Sequence, residues 1–89
     1  MSMTIWKYEI PIEDNCPLQL SLPEGATVLS VQVQYGVPCL WVLCEESVPV
    51  TMRRFAIRRT GQNADWLDGA KFIGTFQMGA FAFHLFETT

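Results

Sequence analysis

Along most of this chain, hydrophobic side chains recur at every second residue, and that period constrains the fold more than any other feature. Successive side chains on a strand point to opposite faces, so a period of two buries one face; a helix needs a period near 3.6. Residues 4–10 put Trp6, Tyr8 and Ile10 on one face and Ile5, Lys7 and Glu9 on the other. Leu18, Leu20 and Leu22 alternate with Gln19 and Ser21, and Leu29, Val31, Val33 and Tyr35 alternate with Ser30, Gln32 and Gln34. A connection carrying Gly36 and Pro38 then leads into residues 39–45, which reads as a β-hairpin. Its second arm is apolar on both faces, with Leu40, Val42 and Cys44 on one and Cys39, Trp41 and Leu43 on the other, which reads as a central strand or one covered at an interface. Residues 51–60 form the next strand, with Phe55 and Ile57 inward and Arg54, Ala56 and Arg58 outward. A second hairpin joins residues 71–77 to 80–87 around Met78 and Gly79. Phe72, Gly74 and Phe76 share a face of its first arm, and Phe81, Phe83 and Leu85 oppose Ala82, His84 and Phe86 on its second.

About seven such runs in 89 residues predict an all-β domain spanning 1–89, a small antiparallel sandwich or barrel. The one helical signal is a short turn near 63–69, where Asn63 offers an N-cap and Gly69 a C-cap. With 49 % hydrophobic and 17 % charged residues the chain has enough apolar surface to fold. The longest apolar run, 37–44, is interrupted by Pro38 and falls far short of the roughly 20 residues of a membrane helix. The first residues lack a basic stretch followed by an apolar one, so a cytoplasmic protein with no membrane partner is expected. Cys16, Cys39 and Cys44 are odd in number and should be free thiols. Cys39 and Cys44 lie five apart, which on a strand sends them to opposite faces and argues against a shared metal.

Six Lys and Arg against nine Asp and Glu leave a net charge of −3, which excludes a general duplex nucleic acid binder. Within that acidic chain Arg53, Arg54, Arg58 and Arg59 fall inside seven positions, Arg54 and Arg58 on one strand face and Arg53 and Arg59 on the other. Guanidinium groups match phosphate and carboxylate bidentately, and Thr60, Gln62 and Asn63 follow with neutral donors. With His84, the sole histidine, these residues are the candidate ligand set for an anionic, nucleotide-like small molecule. No G-x-S-x-G elbow or C-x-x-C pair occurs, and glycines 25, 36, 61, 69, 74 and 79 stand singly rather than in a phosphate loop. No catalytic residue, metal ligand or cofactor is nominated; the enzymatic alternative is a small hydrolase using His84. Six Phe, three Trp and two Tyr exceed what one small core absorbs. Trp41, Leu43 and Phe83, on strands apolar on both faces, are therefore expected at an interface between copies, making a homo-oligomer.

The order W-K-Y-E-I-P at 6–11, V-L-S-V-Q-V-Q-x-G-x-P-C-L-W-V-L at 28–43, R-R-F-x-I at 53–57 with T-G at 60–61, F-I-G-T-F-Q at 72–77 and F-H-L-F-E at 83–87 covers nearly the whole chain. It resembles a family of small bacteriophage and prophage proteins that carries no assigned activity. Relatives in that family often place a histidine after the T-G pair; this chain has Gln62 there, which weakens a catalytic reading. The resemblance implies a mobile-element origin. By analogy with small phage proteins it implies a binder of a host signalling molecule, or alternatively an adaptor that caps a host enzyme or defence complex.

Overall fold

A computed structural model of the chain describes residues 2–12 and 18–88; the acidic bend at 13–17, with Cys16, lies outside the described residues. The expected seven strands are present: β1 Met3–Glu9, β2 Leu18–Pro23, β3 Thr27–Gln34, β4 Val37–Glu45, β5 Val50–Arg59, β6 Lys71–Met78 and β7 Phe81–Thr88. They form two antiparallel sheets, a three-stranded one ordered β1-β4-β3 and a four-stranded one ordered β2-β5-β7-β6. The helical signal near 63–69 is a single 3₁₀ turn, Asp65–Leu67.

The alternation sorts side chains as the period requires. Leu40, Val42 and Cys44 from one sheet and Phe55, Phe83 and Leu85 from the other close into a common core with Ile10, Leu22, Val31 and Phe76. β4 is the central strand of its sheet; its Leu40, Val42 and Cys44 face the core, while Trp41 and Leu43 on its other face are only half-buried. The β3–β4 hairpin turns at Tyr35 (φ 53°) and Gly36 (φ 77°); two central residues with positive φ are what a two-residue turn of type I′ needs. The sheets come closest where β6 passes β3. A Cβ on Gly74 would stand 2.9 Å from Val31 Cγ1, so any other residue there would have to push the buried Val31 aside.

Two β-bulges change which side chains face inward. One, between Val28 and Ser30, turns Leu29 out to 47 % exposure; Tyr35, in the turn beyond the strand, is 95 % exposed. The other, between Phe72 and Gly74, puts Phe72 on the opposite side from Phe76, so these residues do not share the face that strict alternation predicts. An extra residue on one strand inverts the parity of everything beyond it. Phe83, expected at an interface, is instead in the core, its ring stacked on Phe76 at 5.6 Å.

β5 and β6 each pair antiparallel with β7, which lies between them, so they run parallel to one another. The connection at 60–70 must therefore travel back along the length of β7. The inner face is filled by the three-stranded sheet, and the connection crosses the outer face as a strap. Leu67 in this strap is buried, and so is Ala56, which points outward from β5.

Candidate anion-binding site

The strap roofs one end of the outer face of the four-stranded sheet, and there the chain brings its functional side chains together. Phe83 and Leu85 point into the core, so His84 between them must point out. In register it stands opposite Arg58 on β5 and Thr75 on β6, giving a cross-strand row Arg58–His84–Thr75. The imidazole is held from both sides: Thr60 Oγ1 lies 2.8 Å from Nε2 and Thr75 Oγ1 lies 2.9 Å from Nδ1. Thr60 also reaches the Ala82 carbonyl at 3.4 Å, and its backbone N–H donates to that oxygen at 3.0 Å. When the Thr60 hydroxyl donates to Ala82, its oxygen is left to accept from Nε2–H. Nδ1 of the neutral ring then accepts the proton of Thr75, and every polar atom of the trio has a role. Arg58 runs under the strap, its guanidinium carbon 4.5 Å from the centre of the Trp66 ring, while Trp66 keeps 52 % exposure.

The other arginines do different work. Arg53 clamps the far end of the sheet: Nε and Nη2 donate to Glu87 Oε2 and Oε1 at 2.6 and 2.7 Å, and Nη1 donates to the Ala26 carbonyl at 2.6 Å. The hydrogen bonds to Glu87 hold the Arg53 guanidinium even more firmly protonated than usual, although burial opposes this. Arg59 lies on the opposite face from Arg58, 5.1 Å from the Phe81 ring. Arg54 shares the outer face with Arg58 but stands four residues away, about 13 Å along the strand. The four arginines thus do not converge.

Gln62 and Asn63 shape the strap. Gln62 Oε1 accepts from the Arg59 N–H at 2.8 Å, and Asn63 Oδ1 accepts from the Asp65 N–H at 3.1 Å ahead of the 3₁₀ turn. Of the expected ligand set, Arg58, Thr60 and His84 come together, joined by Thr75 and Trp66. Thr75 was missed: the second hairpin turns at Gly79 and Ala80 rather than one residue earlier, and that register sets Thr75 opposite His84.

Trp41 and Leu43 lie on the other outward surface, that of the three-stranded sheet. Both are half-buried, and Leu43 faces Ile5, which is 58 % exposed. Lys7 lies 5.9 Å from the Trp41 ring and donates to Gln34 Oε1 at 2.8 Å. Cys39 and Cys44 are buried free thiols on opposite faces of β4. Among the described residues no helix is long and apolar enough to cross a membrane.

Residues 1–89 match the family model described as a domain of unknown function, DUF7352. The chain belongs to the DUF7352 family. No curated protein and no solved structure matches it. In this DUF7352 chain a cation, an imidazole and two hydroxyls stand together on one sheet face. His84 is backed by the neutral hydroxyl of Thr75 rather than by the carboxylate that stabilises an imidazolium in a Ser-His-Asp triad.

Proposed function

We propose that this DUF7352 protein is a non-enzymatic binding protein, of phage origin and acting in the host cytoplasm, that sequesters a phosphate-bearing, nucleotide-like molecule. The observation that carries the reading is the Arg58–His84–Thr75 row with Thr60 against its imidazole and Trp66 against its guanidinium. Arg58 supplies the charge. The hydroxyls rotate, so Thr75 can turn its proton from histidine, and Thr60 its proton from the Ala82 carbonyl, to a phosphate oxygen.

The reading includes self-association through the outer face of the three-stranded sheet, where Leu43 and Trp41 adjoin the exposed Ile5 and Met3. Light scattering is expected to give a multiple of the 10.1 kDa chain mass, falling to that mass in Leu43→Glu. A monomeric parent protein removes this part of the reading.

Thermal-shift screening of nucleotides and cyclic dinucleotides, followed by calorimetry, tests the ligand. Arg58→Ala should weaken binding by about tenfold to a hundredfold, the worth of one charge-assisted contact. If no phosphate compound raises the melting temperature, the reading fails, and capping of a host protein becomes the better account.

A further inference from the structure

Next to the polar row on the same outer face lies an aromatic one. Phe86 follows His84 by two residues on β7, so the two side chains emerge on one side about 7 Å apart. Phe72 on β6 pairs with Phe86 in register, their ring centres 5.5 Å apart and tilted by 60°. The bulge between Phe72 and Gly74 is what brings Phe72 here: three residues from Thr75, it would lie on the opposite face of a regular strand. Phe72 is 55 % exposed, whereas the strap covers the β5 side of the face and buries Ala56 there. A flat apolar ring thus lies open on the β6 side, two residue pairs along from the hydroxyl and imidazole of Thr75 and His84.

We infer that the ligand is a nucleoside phosphate whose base stacks on Phe72 while its phosphate sits on Arg58, His84 and Thr75. This rests on the anion-binding reading above and adds the part of the ligand that the arginine does not read. A sugar separates phosphate from base by about the distance that separates the polar row from the aromatic one. Stacking on an aromatic side chain accepts any base, since every base has a π face, so the site takes nucleotides as a class. Phe72 is the residue that tells a nucleotide from inorganic phosphate or a sugar phosphate.

Calorimetry on the full chain with inorganic phosphate, ribose 5-phosphate, adenosine 5′-monophosphate and uridine 5′-monophosphate tests the inference. Both nucleotides should bind more tightly than ribose 5-phosphate. Phe72→Ala should weaken them about tenfold and leave ribose 5-phosphate unchanged. Phe72→Tyr, which keeps the ring, should restore nucleotide binding. Equal affinity for nucleotide and sugar phosphate in the parent, or equal weakening of both in Phe72→Ala, overturns the assignment of the base. If ribose 5-phosphate binds and Arg58→Ala abolishes that binding, the anion site stands even then. Absence of binding by all four probes removes both.

Discussion

The two outward surfaces of this sandwich come from the same alternation and end with opposite chemistry. On the three-stranded sheet Met3 and Ile5 lie open at 60 and 58 % exposure, with no chain segment laid over them among the described residues. On the four-stranded sheet the strap crosses, Leu67 and Ala56 are buried and Arg58 runs beneath Trp66, while His84 and Thr75 lie beside the covered part. The difference follows from connectivity. A hairpin joins β3 to β4 at the edge of their sheet, whereas parallel strands separated by a third must be bridged across a face. Covering a face creates edges and corners where polar side chains meet, and the candidate site lies at such a corner.

Leu67→Ala should separate the two surfaces most sharply. It removes a buried side chain from beneath the strap and should cost about 2 to 3 kcal/mol in urea denaturation. Ile5→Ala on the open face should stay within about 0.5 kcal/mol. Equal losses would mean that the strap adds nothing that the open face lacks.

Each surface also carries a cation over an aromatic ring, at 4.5 Å for Arg58 on Trp66 and 5.9 Å for Lys7 on Trp41. Arg58→Ala should cost about 1 kcal/mol and speed amide exchange across residues 60–70, while Lys7→Ala should cost under about 0.5 kcal/mol. Next in size is the coupling between Thr60 and His84, expected at about 0.5 to 1 kcal/mol in a double-mutant cycle of Thr60→Val with His84→Phe. Additive losses would show that the 2.8 Å contact ties nothing together.

The smallest effect concerns pH. Burial first, and the charge of Glu46 second, push the Cys44 thiol above its ordinary value of 9.0. The folded chain therefore keeps that proton longer than the unfolded chain. This stability is fully present below the unfolded thiol's pKa and is lost as pH rises above it. Urea midpoints should fall slightly above about pH 9 in the parent, and less so in Cys44→Ala, whose core is weaker at every pH.

Much of this architecture was legible because strand period is local. Trp6, Tyr8 and Ile10 on one side of β1, Leu22 on β2 and Leu85 on β7 all follow from counting by two. Leu29 and Phe72 did not follow, since a bulge is settled by how a strand fits its partner and not by its own residues. The arginines show the same limit. Their faces could be read from parity, but the clamp of Arg53 on Glu87 joins residues 34 apart, and the seat of Arg58 depends on where the strap carries Trp66. Thr75 was missed because the turn lies one residue later than the glycine suggests, and one step of register changes which residue meets His84.

The strap also sets a timetable for folding. The hairpins that turn at Tyr35–Gly36 and Gly79–Ala80 close over a few residues and can form within microseconds. β5 cannot take its place beside β7 until the segment between β5 and β6 has been laid back along the sheet, so the Arg59↔Phe83 pairing closes a loop that local structure does not shorten. That closure belongs to the slow end of the range for small β domains. Until it happens, β7 has an unpaired edge flanked by Phe81, Phe83 and Phe86, and the risk of misassembly is concentrated in that interval.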